Sequence, residues 1–178
     1  MSIKHMMQAA LMTAVIIVLG LIPGIPLGFI PVPIVLQNVG ILLAGELFGI
    51  KRGTISVWLF ELLVVLGMPF LSGGNGGFAV FLGPTAGYLI IWLFTPALVG
   101  GLIKLTNATN SWWREWLAVW IAGVVVMNVF GASWLAIQNH LSLSAAAITF
   151  LTFIPGDTIK SLLAVVVARR LRRVKRLD

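Results

Sequence analysis

The chain has 178 residues, 60% of them hydrophobic and 10% charged, whereas soluble domains carry about a quarter charged residues. Spans of about 20 residues would use most of that length, which leaves no room for an appended soluble enzyme, nucleotide-binding domain or receptor ectodomain. The net charge of +7 reads as a juxtamembrane anchor, because Arg169, Arg170, Arg172, Arg173, Lys175 and Arg176 follow the last apolar run, and the absence of cysteine excludes disulfides and thiolate metal sites.

The apolar runs predict an all-α integral membrane protein with six transmembrane helices in one domain over 1–178, at roughly 7–24, 34–50, 54–70, 80–103, 115–138 and 148–169. Span one reads as a retained helix rather than a signal peptide, since Pro and Gly follow it in place of a small-x-small cleavage site. Its Ala10 and Ala14, four apart, form a small-residue face on which another helix can pack closely. Pro23, Pro26, Pro31 and Pro33, with Gly24 and Gly28, then end helical structure. Spans two and three are joined by Gly49-Ile-Lys-Arg-Gly53, with Glu46 beside Lys51 as a structural group and Glu61 near the middle of span three. The pairs Gly45 and Gly49, and Gly83 and Gly87, read as intramolecular packing contacts.

The run Ser72-Gly-Gly-Asn-Gly-Gly77 has backbone groups that hydrocarbon would leave unsatisfied, so it is expected to cap the external end of the bundle. Glycines such as Gly74 let the backbone approach a ligand, and Asn75 adds an amide that both donates and accepts. No Gly-Lys-Ser/Thr follows, so the run is not a phosphate loop. Tryptophans at 112–120 and 134 read as an aromatic belt. In Pro155-Gly-Asp-Thr-Ile-Lys160, Pro155 suits the first turn of a helix, and Asp157 and Lys160 share one face. A charged pair inside a span marks a ligand or ion pathway; the structural alternative is a capping acid with a lysine that snorkels outward.

Lys4, Lys51, Arg52, Lys104, Arg114 and the C-terminal cluster fall on one side of such a bundle, and the other three connections hold no Lys or Arg. That asymmetry predicts cytoplasmic termini. His5 and His140 then lie on opposite sides and cannot share a metal, and no Ser/His/Asp set or HExxH motif points to an enzyme.

Four segments carry a resemblance: Pro31-Val-Pro-Ile-Val-Leu-Gln37, Ser72–Gly77, Leu82-Gly-Pro-Thr-Ala-Gly-Tyr88 and Phe153-Ile-Pro-Gly-Asp-Thr-Ile-Lys160. In this order, with six spans, the chain resembles BioY, the biotin-specific substrate-binding (S) component of energy-coupling-factor (ECF) transporters. The resemblance implies an S-component fold in the cell membrane and a vitamin bound near the external face. It also implies an Ala-rich face, matched by Ala10 and Ala14, that docks onto a transmembrane coupling subunit driven by two ATPases. ATP would be used by those partners, and no cofactor or metal by this chain. Glu61 departs from the pattern, where an apolar residue is expected. Biotin offers a ureido group with one carbonyl and two N–H donors, an apolar ring and a carboxylate tail. Asp157 would accept from the N–H groups, Asn75 and Lys160 would donate to the carbonyl, Phe78 and Tyr88 would cover the ring, and Gln37 would add a contact; a second pose puts Lys160 on the carboxylate. The competing expectations are an S component for another vitamin, with more aromatic stacking, and a proton-coupled carrier using Glu61, Asp157 and Lys160.

Overall fold

A bilayer interior offers backbone groups no water, so apolar runs cross it as helices that satisfy their own N–H and C=O groups. The computed structural model describes residues 3–26, 28 and 32–174, and among them the regular structure is helical. The helices are α1 (Ile3–Gly20), α2 (Gln37–Val65), α3 (Ala86–Trp92), α4 (Thr95–Leu105), α5 (Trp112–Trp120), α6 (Met127–Gln138) and α7 (Leu143–Val174). A π-helical turn, Ile121–Val126, joins α5 to α6 in one run. Pro31, Lys175 and Arg176, which the sequence reading used, lie outside the described residues.

Three of these elements are long and apolar enough to cross a membrane: α1, the run Trp112–Gln138 and nearly all of α7. A fourth is the pair α3 and α4, bent by 44°. The predicted second and third spans fall on α2, which breaks at Gly49 with φ 68 and ψ −165, a left-handed conformation that favours glycine. The two arms, 37–48 and 50–65, fold back on each other so closely that a Cβ on Gly53 would strike the backbone of Ala44. Gly45 packs against the backbone of Pro96 and Gly87 against the Trp134 side chain, so each expected glycine pair supplies one close helix contact.

The last helix differs from its prediction. It begins at Leu143, so Pro155 lies inside it and not in its first turn. Proline removes one donor, the one that would reach the Leu151 carbonyl, and the apolar residues on either side keep the helix going in a medium where leaving it costs more. Asp157 is therefore no capping acid. Lys160 stands 17 residues in, roughly 25 Å from that end at 1.5 Å per residue, too far for its side chain to snorkel.

At the other end of α7 the helical repeat splits the basic cluster. Arg170 and Arg173 face outward, whereas Arg169 and Arg172, three apart, turn inward. Arg169 Nη1 donates to Glu115 Oε2 at 2.7 Å, and Arg172 Nη2 bridges Glu115 and, at 3.3 Å, Glu46. Glu46 thus pairs with Arg172 rather than with Lys51, and two of the residues read as a lipid anchor clamp α7 to α2 and α5. Arg52 Nη1 donates to Gln8 Oε1 at 2.7 Å, bringing the start of α1 to the same end. Two tryptophans of the expected belt also tie helices together: Trp116 donates to Ser161 and Trp120 to Thr158, at 3.1 and 3.0 Å.

The clamp has unequal partners. Both carboxylates are buried, whereas the two guanidinium groups reach partway to solvent. Arg172→Met should therefore cost roughly 3–5 kcal/mol, because it leaves buried Glu46 without a cation and Glu115 with Arg169 alone. Glu115→Gln should cost less, about 1–3 kcal/mol. Denaturant unfolding in detergent measures both, and the reverse ranking would contradict this assignment.

Candidate functional site

Away from the clamp, between the first turn of α2 and the middle of α7, lies a cavity of about 300 Å³. Helical spacing builds its walls. Phe153, Asp157 and Lys160 recur on one face of α7, and Thr85, Tyr88, Leu89 and Trp92 line it from the start of α3. The extended stretch 32–35 and then Gln37 and Asn38 complete the side, and Leu71, Ser72 and Asn75 form the roof. Most of the lining is apolar, so its few polar atoms define what it can hold.

Those atoms converge on one carboxylate. Lys160 Nζ donates to Asp157 Oδ1 at 2.8 Å, and Lys160 is only 6% exposed. Asn38 Nδ2 donates to the same oxygen at 3.2 Å, and Asn128 Nδ2 donates to Oδ2 at 2.7 Å. A carboxylate has about four lone-pair positions and an ammonium three hydrogens, so Asp157 retains one acceptor position and Lys160 two donors. Three further buried polar atoms on the wall have no hydrogen-bond partner among the described residues: Asn38 Oδ1, the Tyr88 hydroxyl and Trp92 Nε1. Leaving such a group unpaired costs about 1–3 kcal/mol each. Together they suit a compact polar ligand group that offers both donors and an acceptor, attached to an apolar body.

The structure distributes the expected site residues unevenly. Asp157, Lys160, Tyr88, Asn75 and Gln37 all line the cavity. Asn75 is exposed, and its Nδ2 donates to the Ser72 carbonyl at 3.2 Å. Gln37 is occupied with protein: Nε2 donates to the carbonyls of Phe70 at 2.8 Å and Ile16 at 3.4 Å, and Oε1 accepts from Ser72 N at 3.2 Å. It is a latch that hangs the roof from α1 and α2. Gly74 adopts a left-handed φ of 73 in the roof loop without lining the cavity. Phe78 does not reach the cavity either; it is 62% exposed at the start of a 3-10 turn, Phe78–Leu82. Phe153 lines the cavity, its ring 5.7 Å from that of Tyr88. Glu61 is buried away from the cavity, and its carboxylate has no hydrogen-bond partner among the described residues. It therefore forms no continuous relay with Asp157 and Lys160. Ala10 and Ala14 point out of the bundle, amid exposed Met7, Leu11 and Val18.

Sequence reasoning missed Asn38, Asn128, Trp92 and Phe153. An amide inside an apolar run was a usable signal for the two asparagines.

The BioY family profile matches residues 1–176. The chain belongs to the BioY family. Among its relatives, the biotin transporter BioY of Lactococcus lactis subsp. cremoris (strain MG1363) is 52% identical over 173 residues, spanning 96% of this chain and 92% of that protein. The biotin transporter BioY of Rhizobium etli is 42% identical over 174 residues, with 95% and 93% covered. A crystal structure of the S-component for biotin from an ECF-type ABC transporter superposes with a TM-score of 0.92 at 52% identity, covering 96% of this chain and 92% of that one. The chain thus has an S-component fold.

The latch generates a prediction. A Cβ on Gly20 would overlap both the Gln37 amide and the Phe70 carbonyl. Gly20→Val should release the roof, raising amide hydrogen exchange across 70–75 while leaving helix content unchanged. Unaltered exchange there would show that Gln37 does not hold the loop.

Proposed function

We propose that this chain is a high-affinity biotin-binding membrane subunit, the S component of an ECF-type vitamin uptake transporter. The observation that carries the reading is the polar set at the cavity floor, an Asp157–Lys160 pair with acceptor and donor capacity to spare inside an otherwise apolar chamber. A neutral ureido group matches it. One N–H donates to the free position on Asp157 and the other to Asn38 Oδ1, while Lys160 donates to the ureido carbonyl. The thioether ring rests against Tyr88, Trp92 and Phe153, and the carboxylate tail runs toward Asn75 and the roof. The relatives named biotin transporters support the same ligand.

The chain crosses a prokaryotic plasma membrane six times, each arm of α2 counting as one crossing. Both termini lie in the cytoplasm, because the basic end of the bundle faces the anionic inner side. The cavity then faces outward and captures biotin from outside the cell. The outward face of α1 around Ala10 and Ala14 docks onto a transmembrane coupling subunit, and two ATPase subunits supply the energy for delivery. This chain uses neither ATP nor another cofactor, and it performs no covalent chemistry.

Isothermal titration with biotin tests the reading. Asp157→Asn and Lys160→Ala should each weaken binding by roughly 3–5 kcal/mol, since each leaves a buried charge without its partner as well as removing a ligand contact. Asn75→Ala, at the solvent-facing roof, should cost less, about 1–3 kcal/mol. Near-native affinity in the first two variants would remove the floor from the site.

A further inference from the structure

We propose that Asn128 is a positioning residue for ligand recognition, holding the Asp157 carboxylate from behind through the π-helical turn. Asn128 is fully buried and does not line the cavity. One of its amide hydrogens goes to Asp157 Oδ2 at 2.7 Å and the other to the Val124 carbonyl at 3.0 Å. Flipping the amide would set its oxygen against a carboxylate and a carbonyl, two acceptors, so chemistry dictates this orientation. Asp157 is gripped from three elements, and the three grips differ. Asn38 and Lys160 hold Oδ1 from inside the cavity, within reach of a ligand. Among the described residues Asn128 alone holds Oδ2, from outside it, and can act on a ligand only through Asp157.

The backbone explains how an amide comes to stand there. Ile121–Val126 winds as a π turn, and Asn128 follows two residues later. A π turn takes in one residue more than an α turn, which rotates everything after it by about 100° relative to an uninterrupted helix. Without it, Met127 would occupy the Asn128 position and Asp157 would face a thioether that cannot donate. The turn therefore delivers a donor to the one carboxylate oxygen that the cavity residues leave alone. With Oδ2 fixed, the remaining acceptor position on Asp157 has a set direction; with the grip removed, the carboxylate rotates and that direction is lost.

The inference rests on the biotin reading for its effect on affinity, but its test also has a readout without ligand. The chain has two aspartates, Asp157 and Asp178, so ¹³C-carboxylate aspartate in an Asp178→Asn background leaves one labelled group. Asn128→Leu, close in volume and without a donor, should shift the infrared carboxylate stretch of Asp157 in ligand-free protein. It should also weaken biotin binding by roughly 10- to 100-fold, as loss of a hydrogen bond to a charged group implies. Asn128→Ala should do the same, so that either variant suffices if the other does not fold. An unchanged stretch, or a shifted stretch with affinity within about threefold of the unsubstituted protein, would overturn the proposal. Failure of the unsubstituted protein to bind biotin would instead sink the biotin reading, with the stretch still deciding whether Asn128 holds Asp157.

Discussion

An ion pair with both partners buried inside a membrane protein is expensive, and several features of this bundle converge on the pair between Asp157 and Lys160. Removing two charges from water costs several kcal/mol per ion, and their attraction offsets this only if the remaining hydrogen-bonding positions are also filled. The pair is 2.8 Å apart and almost wholly buried. Three departures from simple helical architecture serve it. The last helix runs straight through Pro155, so that both residues stand well inside it. The second helix begins at Gln37, which puts Asn38 beside Asp157 in the first turn. The fifth and sixth helices are joined by a π turn that brings Asn128 to the other oxygen.

The opposite end of the bundle is held differently. There Glu46 and Glu115 are satisfied by Arg169 and Arg172 with their heads partly in solvent, and the cluster binds the end of the last helix to its neighbours. That helix is thus tied near its C-terminal end by charges that close among themselves and at its middle by charges with capacity left over. On the proposed reading, the difference separates structure from recognition. The roof has the weakest support: a few backbone contacts, the Gln37 latch and a hydrogen bond from Ser72 to the Ile22 carbonyl. A loop held by so few contacts opens at lower cost than the helices beneath it, as the proposed binding site would require to admit its ligand.

Much of this was legible in the chain, and the failures have identifiable causes. Hydrophobic runs and the Gly49–Gly53 connection located the helices, because both are properties of local sequence. The Asp157–Lys160 pair was legible because i, i+3 spacing on any helix puts two side chains on one face. Pro155 misled because proline favours a first turn in water, whereas in hydrocarbon an existing helix continues past it. Gln37 lines the cavity but bonds to protein, and Phe78 stands outside it, because where a side chain points depends on neighbours distant in sequence. The basic cluster looked uniform because composition carries no phase; the helical repeat sends Arg169 and Arg172 inward and Arg170 and Arg173 outward. The π turn left no mark in the hydrophobic pattern, and Asn128 went unnoticed with it.

The central claim is that the buried polar network serves binding rather than stability. Thermal unfolding with and without saturating biotin tests it on a variant in which Asn38, Asn128 and Asp157 become Leu and Lys160 becomes Met, near-isosteric apolar replacements of the whole network. Buried ion networks replaced in this way are often neutral or stabilising. The ligand-free variant should therefore unfold at or above the temperature of the unsubstituted protein. Biotin should raise the unfolding temperature of the unsubstituted protein alone. A variant that unfolds well below it, yet is still stabilised by biotin, would contradict the account.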